Sequence, residues 1–263
     1  MTAGTPWWEW EGWQQILQHV LGTVIPEDAP PYQPESTSAA LLLGKLRGTR
    51  GLDLTDATGA TIPPRTNAGV QVTAEGLDCG YRQPKGAAGM LSYPSGLFQP
   101  EGSIKFTITP GWETDLASLD ESVQLFSTNS VTHGGTFQIY VYVHSSENYA
   151  LVVHVQTNDI NQDQLRGHSA MYAIKRAPVG SGNSLLKTSL WKKGQPRTIE
   201  VSWSPSQLIV SENGEQMAVS NFAPEMDLSS FSGPVFLGSS ASGRLARVLL
   251  KDIHIRGQVP ASE

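Results

Sequence analysis

Between Phe137 and Val155 the chain reads FQIYVYVHSSENYALVVHV, two runs of alternating side chains on either side of a polar break. Successive side chains of an extended strand point to opposite faces, so this period of two reads as a long β-hairpin. In the first arm Phe137, Ile139, Val141 and Val143 share one face, and Gln138, Tyr140, Tyr142 and His144 share the other. In the second arm Tyr149, Leu151, Val153 and Val155 lie opposite Ala150, Val152, His154 and Gln156. Both arms are rich in β-branched and aromatic residues, and Ser145-Ser146-Glu147-Asn148 supplies turn chemistry. One face is aliphatic and must cover a core; the other mixes tyrosine, histidine and amide groups.

The same grammar continues on both sides of the hairpin. Short apolar-alternating runs appear in ALLLGKL, GLDLTD, ATIPP and GVQVTAEGLDCG, then in GSIKFTIT, SVQLFS, TIEVSW, QLIVS, EQMAVSN, GPVFLGSS and RVLLKDIHIRG. Ile104, Phe106 and Ile108 alternate cleanly, as do Ile199, Val201 and Trp203, and Leu208 and Val210. Asn213-Gly214 is the strongest hairpin-turn signal in the chain. Residues 83–95 and 157–170 read as loops because they are polar or interrupted by Gly and Pro, with a strand expected from Met171 to Lys175. The 26 glycines and 17 prolines, spread along 263 residues, fit many short strands joined by tight turns. The expected fold is all-β, a two-sheet antiparallel sandwich.

The N-terminus differs. In TPWWEWEGWQQILQHVLG, Thr5 can cap a helix, Pro6 suits its first position, Glu9 and Glu11 favour the positive end of its dipole and Gly22 can close it. Trp13, Ile16, Leu17, Val20 and Leu21 then fall on one side, with Trp10 extending the stripe, so an amphipathic helix is expected. Residues 23–38 carry Pro26, Pro30, Pro31 and Pro34, a composition of extended, semi-rigid linkers. The expected division is a Trp-rich helix over 1–22, a spacer over 23–38 and a sandwich over 39–263. The helix could pack on its own domain, dock a partner or lie on a membrane surface, for which its polar face lacks Lys and Arg; because a helix packed tightly on the sandwich would need no such spacer, Trp7, Trp8, Trp10, Trp13 and Leu17 are the expected contacts to an assembly partner.

Net charge and cysteine content narrow the functional classes. A formal charge of −6 disfavours a general nucleic-acid or anionic-membrane binder, either of which needs a clustered basic face. No stretch approaches the ~18 consecutive apolar residues of a membrane-spanning helix. The single cysteine, Cys79, cannot form an intramolecular disulfide and reads as a buried, inert thiol. The N-terminus has no basic region followed by a long apolar run, so synthesis in the cytoplasm without a cleaved export signal is expected.

The order of these pieces resembles the laminin G-like branch of the concanavalin A-like lectin and glucanase sandwiches. The resemblance rests on GLDLTDATGATI with GVQVTAEGLDCG, on GSIKFTITPGW, on LFSTNS and the hairpin, on LWKKGQPRTIEVSWSPSQLIVSENGEQ, and on GPVFLGSS before RVLLKDIHI. It spans roughly residues 50–256 and implies a jelly-roll fold. Such sandwiches host lectins, adhesion modules, hydrolases and lyases alike, so the fold alone does not choose among them.

Glucanases of that fold resemble one another in a strand bearing Glu, Asp and Glu, because retaining hydrolysis needs two carboxyls about 5 to 5.5 Å apart. Here Glu225-Met-Asp227 and Glu113-Thr-Asp115 begin such a pattern, and neither supplies the second glutamate. A lyase would need a Tyr or His base with Arg and Gln or Asn neutralising a uronate; Tyr140, Tyr142, His144, His154 and Gln138 offer part of that set, with Arg166 or Arg176 as the cation. No phosphate loop, dinucleotide fingerprint, G-x-S-x-G elbow or HExxH helix appears. No cofactor is expected. Calcium is the candidate metal, because laminin G-like relatives often bind it through loop oxygens; Asp115, Asp120, Asn129, Asp159 and Asp163 are the candidate ligands.

The ligand-binding expectation therefore falls on Gln138, Tyr140, Tyr142, His144 and His154, where tyrosine rings could stack on sugars and amides and imidazoles could bond their hydroxyls. The expected function is a non-enzymatic adhesion or carbohydrate-binding module contacting a glycan or cell-surface polysaccharide. The expected setting is a larger assembly such as a bacteriophage virion surface, and a homo-oligomer is compatible with it. A polysaccharide hydrolase or lyase on the same scaffold, or a decoration subunit without a ligand, are the alternatives.

Overall fold

The computed structural model describes residues 52–56, 59–84, 87–112, 122–129, 135–145, 148–159, 164–175 and 187–258. The expected N-terminal helix with its tryptophans, the proline spacer and the ALLLGKL run lie outside these residues. Every regular element among the described residues is a strand: β1 (Leu54–Thr55), β2 (Thr61–Ile62), β3 (Thr66–Ala68), β4 (Gln71–Thr73), β5 (Gly76–Cys79), β6 (Met90–Ser95), β7 (Glu101–Pro110), β8 (Val123–Asn129), β9 (Thr136–Ser145), β10 (Asn148–Asp159), β11 (Gln164–Ala173), β12 (Arg197–Ser204), β13 (Gln207–Glu212), β14 (Glu215–Asn221), β15 (Pro234–Leu237) and β16 (Val248–Gln258). They form two seven-stranded antiparallel sheets. The first has the order β11-β10-β9-β8-β15-β6-β3, the second β14-β13-β12-β7-β16-β5-β4, and β1 and β2 pair as a separate ribbon.

The alternation in the sequence explains how the sheets face one another. Phe137, Ile139, Val141, Leu151, Val153 and Val155 from β9 and β10 are fully buried, as are Ile104, Ile108, Ile199, Val201, Leu208 and Val210 of the second sheet. They meet in one core. Phe98 bridges the layers, stacked on Trp203 of β12 at 4.8 Å and tilted against Phe137 of β9 at 4.9 Å. Aromatic contacts of this kind contribute about 0.5 to 1.5 kcal/mol beyond the area they bury. The hairpin closes with Asn148 opposite Ser145, as the turn chemistry predicts. At the β13–β14 turn Asn213 and Gly214 take φ of 51° and 86°, the left-handed pair that a two-residue hairpin loop demands.

Two expected loops contain strands. β6 lies within residues 83–95; its Pro94 can sit there because the pairing with β15 shifts register at Pro234/Val235, a bulge that spares the missing N–H. Most of 157–170 extends the β10–β11 ladder, with Asp159 opposite Gln164. β11 is an edge strand, so only one of its neighbours demands a matching pattern, and its polar composition concealed it. Cys79 is free and fully buried, as expected. Burial, with the Asp78 charge beside it, pushes the thiol pKa far up and leaves no thiolate for chemistry.

Candidate functional site

Register fixes which side chains meet on the outer face of the first sheet. One row crosses all seven strands: Ser169 of β11, His154 of β10, Gln138 of β9, Ser127 of β8, Phe236 of β15, Ser92 of β6 and Thr66 of β3. Beside it runs a second row, Met171, Val152, Tyr140 and Gln124, and beyond that a third, Ala173, Ala150 and Tyr142. On the other flank lie Gly167, Gln156, Thr136 and Asn129. The middle of this face is recessed. Gln138 is 8% exposed, Ser127 3% and Thr136 6%, whereas Thr66, Ala68 and Gly167 on the edge strands are exposed. Val152, Phe236 and Ser92 in the middle of the face are buried as well, and this low-exposure strip, the trough, separates an aromatic and apolar side from a polar side.

The trough brings together Gln138, Tyr140, Tyr142 and His154, four of the five residues expected there. His144 falls where the β9–β10 ladder slips, between Val143 opposite Tyr149 and Ser145 opposite Asn148, so it has no cross-strand partner in the register and its side chain lies outside the described residues. Tyr140 and Tyr142 meet edge to face at 6.4 Å. Burial raises both phenol pKa values, so the hydroxyls stay protonated and can donate. Nδ1 of His154 lies 2.8 Å from Oγ of Ser169. Burial pushes the His154 pKa down to about 4, against a hydrogen bond with Gln156 that works the other way. The imidazole is therefore neutral at physiological pH. Gly167 leaves it room, since a Cβ there would stand 3.1 Å from His154 Cε1.

The polar side of the trough carries an unusual feature. Ser127 Oγ, Thr136 Oγ1 and Asn129 Oδ1 are buried and have no hydrogen-bond partner among the described residues. A buried donor or acceptor left in that state costs about 1 to 3 kcal/mol. Sequence reasoning missed Ser127 and Phe236. A bulge between Gln124 and Phe126 inverts the parity of β8, turning Phe126 inward and Ser127 outward, and nothing in SVQLFS announces it.

The outer face of the second sheet is built differently. Glu101, Lys105, Glu200, Lys251, Arg256 and Asp78 occupy its outward positions, with Lys105 and Glu200 paired at 3.4 Å. None of the described strand side chains on the first sheet's outer face is a Lys, Arg, Asp or Glu.

A separate polar cluster ties one edge of the sandwich together. Glu212, 4% exposed, accepts hydrogen bonds from Tyr172 Oη at 2.6 Å, Ser189 Oγ at 2.7 Å, Trp191 Nε1 at 3.0 Å and Arg197 Nη1 at 3.1 Å. A cavity of about 410 Å³ opens beside it, lined by Lys187, Thr188, Ser189, Arg197, Glu212, Asn213, Glu215 and Met217. Lys187 pairs there with Glu215 at 2.8 Å. The Glu212 carboxylate is saturated with donors, which suits a structural clasp between β11, the 187–191 segment and β12–β13 better than an acid or base.

The other sequence candidates are dispersed. Glu225 and Asp227 lie exposed after β14, and Asp227 accepts from the backbone N–H of Ser229 at 2.9 Å. Glu113, Asp115, Asp120, Asp163 and the five N-terminal partner residues lie outside the described residues; Asn129 and Asp159 end strands β8 and β10. No group of three or more His, Cys, Asp or Glu able to hold a metal occurs among the described residues, nor does a helix long and apolar enough to cross a membrane.

No family model matches the chain, and no curated protein matches it by sequence. Solved structures similar to it include the binding domain of botulinum neurotoxin serotype D (11% identity, TM-score 0.48, covering 84% of this chain and 48% of that one). They also include full-length tailspike protein 2 from the Escherichia coli O157:H7 bacteriophage CAB120 (13% identity, TM-score 0.47, 74% of this chain and 25% of that one). A third is domain 4 of an extracellular GH43 arabinanase from Geobacillus stearothermophilus, in complex with arabinotriose (14% identity, TM-score 0.44, 78% of this chain and 87% of that one). The chain thus spans about half of the first of these and a quarter of the second.

Proposed function

We propose that this protein is a carbohydrate-binding module whose ligand lies in the trough on the outer face of the first sheet. The observation that carries the reading is the contrast between the two outer faces. Solvent-facing sheet surfaces are ordinarily studded with charges, as the second sheet's is. The first sheet instead presents Tyr140, Tyr142 and Phe236 beside Gln124, Gln138, Gln156, Ser127, Ser169 and a neutral His154. Rings flanked by amides and hydroxyls are what a sugar needs, since its C–H face packs on an aromatic plane while its hydroxyls take directional hydrogen bonds.

The module acts without turnover in this proposal and belongs to a larger assembly, with a virion surface as the setting and the Trp-rich segment over 1–22 as its tether. The laminin G-like branch of the concanavalin A-like sandwiches is the lineage, on the motifs given above. A glycan array, read together with reducing-sugar and unsaturated-uronate assays, tests the proposal. Binding without product release is expected, and Tyr140→Ala and Tyr142→Ala should each weaken it by roughly tenfold, the scale of ~1 to 2 kcal/mol for one aromatic contact. Turnover would move the protein to the enzymes, and unchanged affinity in both variants would move the ligand to another surface.

A further inference from the structure

We infer that the ligand is an uncharged oligosaccharide of several units laid along β9, from the ring pair Tyr140–Tyr142 to the polar flank at Ser127, Asn129 and Thr136. The inference rests on the trough being the binding face and goes on to fix the chemical class and the direction of what binds there.

Charge excludes the acidic sugars. A uronate, sialyl or sulfated unit gives up hydration on entering a recessed site and needs a cation or a dense set of donors in return. The described side chains of the trough offer neither Lys nor Arg, and the His154 imidazole is neutral. Among the described side chains of the trough there is no carboxylate for an ammonium-bearing sugar either. The protein as a whole has 18 Lys and Arg and 24 Asp and Glu, so their absence among the described side chains of this face is a selective feature of it.

Length follows from the strand. Thr136 and Tyr142 stand at the two ends of one stretch of β9, six residues apart, which at about 3.3 Å per residue is roughly 20 Å. The aromatic end and the polar end therefore cannot be engaged by one sugar ring. The polar end is where the unpartnered Ser127 Oγ, Thr136 Oγ1 and Asn129 Oδ1 gather. Ser127 and Thr136 are both more than nine-tenths buried, at outward register positions diagonal to each other across β8 and β9. Sugar hydroxyls, which donate and accept equally well, are partners suited to all three.

The test uses the full chain and a matched panel: neutral gluco-, xylo-, arabino- and galacto-oligosaccharides of one to six units, and polygalacturonate, hyaluronate and sialylated oligosaccharides. Titration calorimetry should find binding in the neutral set, affinity rising with length over the first several units, and Kd constant within about twofold from about 0.05 M to about 1 M NaCl, because no ion pair is there to be screened. Gln124→Arg, beside Tyr140, should leave the fold intact and admit an acidic oligosaccharide that the parent refuses. Preference for an acidic glycan with affinity falling steeply in salt would overturn the inference, while loss of that binding in Tyr140→Ala would keep the trough as its place. Full affinity for a single sugar unit would overturn the multi-unit arrangement. No binding to any member of the panel would overturn both the inference and the carbohydrate-binding reading.

Discussion

At Glu212 one buried carboxylate gathers a phenol, an indole, a hydroxyl and a guanidinium, and each of these would lose its acceptor together. Breaking a buried charge pair by removing one partner costs about 3 to 5 kcal/mol. Glu212→Ala should therefore lower the unfolding free energy in urea by that amount, and a change below about 1 kcal/mol would show that the cluster is not the clasp described above. His154 supplies a pH dependence. Its folded-state pKa lies below the ordinary 6.5, at about 4, so the unfolded chain binds a proton that the folded chain refuses in that interval. The associated stability is complete above pH 6.5, drains as pH falls toward 4 and does not change further below. At about 1.4 kcal/mol per unit the full loss is on the order of 3 to 4 kcal/mol. His154→Gln should remove that part of the decline in thermal unfolding midpoints between pH 7 and pH 4, whereas an unchanged decline would place its origin elsewhere.

At the scale of elements, the sequence made plain whatever two neighbours and a buried face constrain together. The β9–β10 hairpin, β7, β12 and β13 each alternate because the core accepts every second side chain, and their inward residues are those the alternation names. The Asn213-Gly214 turn was equally legible, since few residues tolerate its two positive φ angles. Gly214→Val should destabilise by roughly 1 to 2 kcal/mol through the left-handed backbone, with no new clash because a Cβ there meets nothing within 4 Å. An equal loss from Gly214→Asn, which tolerates that conformation, would contradict the backbone explanation. What the sequence hid was set by exceptions to the period of two. The bulge in β8 exchanged the faces of Phe126 and Ser127, Pro94 masked β6, and the edge position of β11 let a polar run behave as a strand. The candidate site was legible to the same degree: Gln138, Tyr140, Tyr142 and His154 followed from the hairpin pattern, while Ser127, Phe236 and Ser169 needed the cross-strand register.

For the whole molecule, two sheets of equal strand number enclose one core and present unlike outer surfaces. The second sheet's outer face carries charges of both signs, in a chain with a net charge of −6 overall. The trough of the first sheet lies opposite it, supported from beneath by the aromatic cluster of Phe98, Phe137 and Trp203. A packed core under this face holds the spacing of rings and amides, so the proposed binding would cost little ordering entropy. The most direct measurement is amide chemical-shift mapping during titration with the tightest-binding neutral oligosaccharide. Perturbations are expected to concentrate at Gln124–Asn129, Thr136–Tyr142 and Val152–Gln156, with the second sheet's outer residues Lys105, Glu200 and Arg256 unmoved. Perturbations centred on the Lys187–Met217 cavity or on the charged face, with the trough silent, would contradict that expectation.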